Sequence, residues 1–284
     1  MTNVARMALP PGGRTAIRAT LVIAAAVLVV GSLVALGVAA WGIGSFRVIT
    51  DSKPLPSAVR SLVVDTGSVP AAISITTDRE AREPRVDLRM VNSTAAGAEP
   101  LSVNTSGADA RITIDGEPSA FLQWSRAGEI TVVLPPDLAR GLTVTTQQDN
   151  GVVRAQADLD QLIARTDNGA VILEGSARRI EVHTDNGEVS TRDPISVSES
   201  FSATTGNGKI IVDFAAAPPR TVDATSDNGE IVIGLPARDE YVVDASTKNG
   251  ETVVRVPRAT DPATATAVVT VRSENGDVVV DDLR

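Results

Sequence analysis

The chain has 284 residues, no cysteine, a single histidine and only 2% aromatic residues. Without cysteine there can be no disulfide, no thiolate-bound metal and no lipidated cysteine anchor, and cysteine usage carries no message about redox compartment. With His183 as the one imidazole, neither a Ser-His-Asp triad nor a histidine-ligated metal has a second histidine to build on. The scarcity of rings points to a narrow core filled by Val, Ile and Ala. Neither a phosphate-binding loop nor a dinucleotide fingerprint follows a strand. Lysine is confined to Lys53, Lys209 and Lys248, while arginine and alanine are plentiful.

Charge is also missing from a long stretch, because no residue between Ala19 and Phe46 is ionisable and most are Ala, Val, Leu or Ile. This exceeds the roughly 20 residues that cross a bilayer, so residues 19–46 are expected to form a transmembrane helix. Arg6, Arg14 and Arg18 precede it, which keeps residues 1–18 cytoplasmic, sends the rest outside and sets Trp41 and Phe46 at the far interface. A cleaved signal peptide, with small residues near Ala39 and Ala40, is the alternative. Residues 47–57, with Lys53-Pro54-Leu55-Pro56-Ser57, read as a short stiff linker. The net charge of −9 becomes about −12 without the three N-terminal arginines, which disfavours nucleic acid and anionic lipid headgroups as partners.

What is abundant is a dipeptide. Asn-Gly recurs at Asn150-Gly151, Asn168-Gly169, Asn186-Gly187, Asn207-Gly208, Asn228-Gly229, Asn249-Gly250 and Asn275-Gly276, at spacings of 18, 18, 21, 21, 21 and 26 residues. Such periods mark stacked repeats, each too small to bury its own apolar face. With the Asn as position zero, six back stand Val144, Leu162, Ile180, Phe201, Val222, Val243 and Val269, and four back are small or β-branched residues. Two back lie Gln148, Thr166, Thr184, Thr205, Ser226, Thr247 and Ser273, while three on stand Val153, Val171, Val189, Ile210, Ile231, Thr252 and Val278. A spacing of two on each side of the Asn-Gly predicts strand, corner, strand. Asn and Gly reach left-handed backbone cheaply and suit that corner. Prolines at Leu134-Pro135-Pro136, Pro218-Pro219, Leu235-Pro236 and Val256-Pro257 suit a second one.

The expected fold is therefore all-β. A β-solenoid, β-helix-like, lets coiled rungs cover one another; the alternative is an antiparallel meander or sandwich with Asn-Gly hairpins. The pattern extends back in degraded form through Leu62, Val64, Thr66, Ile73 and Ile75, and again through Leu101, Val103, Thr105, Ile112 and Ile114. Residues 58–284 are thus one repeat domain, with the charged stretch in 76–100 set aside as a surface loop.

Three candidate chemistries arise. Val63-Val64-Asp65-Thr66-Gly67-Ser68 resembles the aspartic-protease signature, yet no second Asp-Thr-Gly is present to share the proton, and Asp65 falls in a solvent-facing column with His183. Asp149, Asp167 and Asp185 each precede an Asn-Gly. Stacked, they would crowd like charges that calcium could relieve, although the spacing matches neither an EF-hand nor a nine-residue calcium repeat; an Asx turn capping each corner is the plainer reading. The third is the C-terminal strand Val278-Val279-Val280, read as an open edge available for self-association or a partner strand and guarded by Asp277, Asp281, Asp282 and Arg284.

Repeats of Thr-Asp-Asn-Gly followed by a Gly-x-Val-x-Val strand, behind one N-terminal apolar segment, resemble the bacterial β-strand-repeat domains of unknown function grouped as candidate adhesins. The resemblance covers residues 58–284, including Leu134-Pro135-Pro136-Asp137-Leu138. It implies a solenoid-like fold at the bacterial cell envelope, a non-catalytic adhesin-like role binding an envelope component or protein, some relatives linked to envelope-stress sensing, and no cofactor.

Overall fold

A computed structural model describes residues 46–93, 99–114, 128–215 and 217–283. Residues 1–18, expected to be cytoplasmic, and residues 19–46, expected to be a transmembrane helix, lie outside the described residues apart from Phe46. Among the described residues no helix is long and apolar enough to cross a membrane.

Among the described residues all sixteen strands join one hydrogen-bonded network. Its repeating part consists of β8 (Thr143–Thr191), β9 (Ser196–Asn207), β10 (Ile210–Asp213), β11 (Thr221–Asn228), β12 (Ile231–Pro236), β13 (Tyr241–Asn249), β14 (Thr252–Val254), β15 (Ala267–Asn275) and β16 (Val278–Leu283). Strands of neighbouring repeats pair in parallel with equivalent positions opposite one another. Val222 lies between Phe201 and Val269, Asn228 between Asn207 and Asn275, and Ile231 between Ile210 and Val278. The antiparallel meander is thereby excluded for the repeats. Register follows from period two: a slip by one residue would turn every Val and Ile of a rung out into water. In the inner rungs the residues six and four before each Asn and three and five after it form the core; Val222 is 2% exposed, while Ala224, Ile231 and Ile233 are 0%. The aromatic residues fill wider places. Phe201 and Phe214 meet edge to face at 5.3 Å, and buried Tyr241 donates its hydroxyl to the Pro236 carbonyl at 2.8 Å.

Rung order departs from chain order at both ends. The last rung in sequence, β15 and β16, is inserted between β11–β12 and β13–β14. At the other end β2 (Ser61–Gly67) and β3 (Ala71–Thr77) stack on the first turn of β8, and β6 (Asp109–Ile114) and β7 (Gly128–Leu134) stack beyond them. Beyond those lie β5 (Leu101–Ser106), antiparallel to β6, and β4 (Arg85–Ser93), antiparallel to β7, with β1 (Phe46–Pro54) next to β4.

Four expectations are corrected here. The linker 47–57 is strand through Pro54, with Ile49 and Leu55 buried. The stretch 76–100 is not one surface loop: Val86, Leu88 and Met90 alternate inward along β4, behind charged neighbours that hid the period. The 101–114 segment is a β5–β6 hairpin turning at Gly107, where φ is +62°, rather than a degraded rung. Finally, the proline corner after Leu134 contains a short helix, α1 (Pro136–Ala139), with Pro136 in its first turn, where its missing N–H costs nothing.

Candidate functional site

The Asn-Gly pairs stand where one strand of a rung gives way to the next, and the backbone there is not what local propensity suggests. Among the described residues no residue other than glycine has positive φ, so the asparagines are not left-handed. Their side chains instead form a ladder along the stack. Asn186 donates Nδ2–H to Asn168 Oδ1 at 3.2 Å, Asn207 to Asn186 at 2.9 Å, Asn228 to Asn207 at 3.0 Å, Asn275 to Asn228 at 2.9 Å and Asn249 to Asn275 at 2.9 Å.

Behind them the glycines form a spine whose requirement is closeness. A Cβ on Gly208 would lie 1.7 Å from the Gly187 carbonyl oxygen, and one on Gly187 1.8 Å from that of Gly169. The buried hydroxyl column two residues back binds the same carbonyls, with Ser226 donating to Gly208 at 3.2 Å, Ser273 to Gly229 at 3.1 Å and Thr247 to Gly276 at 2.8 Å. The hydroxyls of Thr166 and Thr184 are buried without a partner.

The candidate catalytic and metal residues do not converge. Asp65 uses both oxygens structurally: Oδ1 accepts the Gly67 N–H at 3.1 Å and Oδ2 meets Arg111 Nη1 at 3.1 Å. Gly67, at φ +50°, completes an Asx turn, so the signature-like sequence is a strand end and not half of a carboxylate pair. Asp167 and Asp185 are exposed and Asp149 half-buried. Among the described residues no group of three His, Asp or Glu is placed to hold a metal. The Asx-turn expectation fails at Asp227, where the Gly229 N–H it would bind is spent between rungs on Asn275 O at 2.8 Å. Exposed His183 lies 3.4 Å from Asp185.

Two surfaces missed by sequence reasoning stand out. One is a charged corner spanning three successive turns. Arg178 binds Asp160 through two nitrogens at 2.8 and 2.9 Å and Glu199 at 2.5 Å, and Arg179 also binds Glu199. The guanidiniums of Arg179 and Arg178 hold the Glu199 carboxyl at a pKa of about 2, and Arg178 lowers that of Asp160. A shallow groove of about 320 Å³ beside them is lined by Leu159, Ala177, Val197 and several serines.

The other is the terminal rung. The expected open edge at Val278–Val280 is overturned, since β16 has β12 on one side and β14 on the other. The open rung is β13–β14. Tyr241 directs its N–H away from β15, to Pro257 O at 3.0 Å, and its C=O to the Ala259 N–H at 2.9 Å. Alternation along the strand then leaves the N–H and C=O of Val243, Ala245 and Thr247 facing outward, with no strand among the described residues beside them. Val243, Ala245 and Val254 are only partly buried and Thr252 is exposed, whereas the opposite end closes its core with Val86, Leu88 and Leu101, at most 2% exposed. Thr252, the one polar residue in its column, and the 26-residue gap before Asn275 were the available signals.

No protein-family model matches the chain, and no curated protein matches it. Solved bacterial structures do resemble it. A candidate adhesin from Bacteroides fragilis shares 13% identity at a TM-score of 0.48, covering 84% of this chain and 97% of its own. One from Parabacteroides merdae shares 10% at 0.44, covering 84% and 97%, and a candidate cell adhesion protein from Clostridium sporogenes shares 10% at 0.39, covering 84% and 100%.

Proposed function

We propose that the chain is a single-pass membrane protein of the bacterial cell envelope, anchored by residues 19–46, whose extracytoplasmic β-solenoid is a non-catalytic, adhesin-like interaction module. The observation that carries this reading is the half-open rung β13–β14. Its outward N–H and C=O groups at Val243, Ala245 and Thr247, beside incompletely covered Val243, Ala245 and Val254, suit an extended partner segment. That segment would add as a strand and lay an apolar residue over the open core. The partner is a protein of the envelope, because the excess of acidic residues repels nucleic acid and anionic headgroups.

Ala245→Pro tests the partner site, since it deletes an outward N–H while sparing the bonds to β15, and an edge strand tolerates proline. With a photo-crosslinking residue at Ser246, the full chain in its native membrane is expected to give a discrete protein adduct that Ala245→Pro abolishes. The same group at Thr145, on an inner turn, should give none. Equal adducts at both positions, or an adduct that survives Ala245→Pro, overturn the proposal. Anchoring is checked separately: deletion of residues 1–46 should release the chain from membranes under alkaline extraction.

A further inference from the structure

An Asn-Gly pair contains the groups for its own modification. The glycine amide nitrogen, giving up its proton to solvent, can attack the asparagine Cγ; the N–Cγ bond forms, the bond from Cγ to the side-chain nitrogen breaks, and ammonia leaves. The resulting succinimide is opened by water to aspartate or to an isoaspartyl linkage that runs through the side chain. No oxidant or reductant is involved. Two things obstruct this reaction in a folded chain: a glycine N–H held in a hydrogen bond, and a carboxamide held in place.

The inner rungs have both. Gly208 donates its N–H to Asn228 O at 2.9 Å, Gly229 to Asn275 O at 2.8 Å and Gly276 to Asn249 O at 2.9 Å. The carboxamides of Asn207, Asn228 and Asn275 each donate to one neighbour and accept from another. Asn249-Gly250 differs on both counts. No rung lies beyond it, so among the described residues the Gly250 N–H has no acceptor. The Asn249 side chain is held only by its donation to Asn275 Oδ1 at 2.9 Å. Both residues are exposed, so water and hydroxide reach them.

We infer that Asn249 is a site of spontaneous, backbone-assisted deamidation in the folded protein, while Asn207, Asn228 and Asn275 are protected by their places in the stack. The product places a carboxylate at the end of the amide ladder and removes the donor to Asn275. An isoaspartyl product also lengthens the backbone at the corner of the exposed rung. This inference concerns the free rung and does not rest on the proposed docking of a partner strand there.

The test is peptide mapping by mass spectrometry of the full chain after ageing in mildly alkaline buffer, once folded and once in concentrated urea, with fragmentation that separates isoaspartate from aspartate. Folded protein should convert Asn249 about thirtyfold faster than the other three, as expected for the loss of two hydrogen bonds at about 1 kcal/mol each, and urea should equalise all four. Equal rates in the folded chain overturn the inference. So does a preference for Asn249 that persists in urea, which would place its cause in the adjacent residues. Asn249→Gln should remove the early product and leave the slow conversion of the other three unchanged.

Discussion

Gly208→Ala tests the close-packed spine most directly. The added methyl would lie 1.7 Å from the Gly187 carbonyl oxygen and 2.7 Å from its carbon. These are backbone atoms, so no rotamer change can move them away; the rungs must separate locally by more than an ångström. That separation breaks or stretches the bonds across the same pair of rungs: the Asn207–Asn186 amide bond of 2.9 Å, the Thr205 hydroxyl bond to Gly187 O of 3.4 Å and the Val189 N–H to Lys209 O bond of 2.9 Å. Three bonds at about 1 kcal/mol each give a cost of about 3 kcal/mol, a large share of the roughly 5–15 kcal/mol that holds a domain together. For a domain of this size the melting temperature should fall by about 6–12 °C. Gly141→Ala is the control, since its Cβ would meet only Leu138 O at 3.8 Å; it should stay within about 0.5 kcal/mol of wild type. Circular-dichroism melts read both, and the spine argument is refuted if the two variants melt alike.

Ile231→Asp puts a charge at a fully buried position and should cost several kcal/mol and unfold the neighbouring rungs in urea melts, whereas His183→Ala should be neutral. Thr166→Val and Thr184→Val each remove a buried hydroxyl that lacks a partner and should leave stability unchanged or raise it by about 1 kcal/mol, while Ser226→Ala lowers it by a similar amount. Because Glu199 has its pKa lowered from 4.5 to about 2 in the fold, chiefly by Arg179 and then Arg178, its contribution is complete above pH 4.5 and lost as pH falls towards 2. The melting difference between wild type and Glu199→Gln should close over that window, and a difference that persists to its lower end contradicts the assignment. Val279→Pro should destabilise the fold in thermal melts, because Val279 stands between Val232 and Val253.

Strand, corner and core were legible because the repeat writes each column several times: Val222, Ala224, Ile231 and Ile233 carry the same inward instruction as their counterparts in adjacent rungs. The order of rungs was not, since Val278 matches Ile231 as well as it matches Thr252, and identical columns stack in any sequence. Local propensity misassigned the corner because what selects Asn and Gly there, an amide ladder and a 1.7 Å clash, exists only between rungs. The β4 strand was hidden by charged residues flanking Val86, Leu88 and Met90. Asp65 looked catalytic because the same Asp-x-Gly geometry that serves an active-site loop also ends a strand.

The inserted rung has a consequence for biogenesis. A chain emerging from a ribosome or translocon offers β13 and β14 before the surface they rest on has been made, so they must wait, unpaired, for residues 267–283 to arrive and slide in beneath them. Growth of the stack by simple addition therefore stops at β12, and the final step is an insertion whose contacts are distant in sequence, the kind that folds slowly. A chain stopped just before Ala267 would lose two layers, the missing one and the stranded one, which makes the C-terminal segment the lock on assembly and leaves the waiting β13 strand open to capture by other chains.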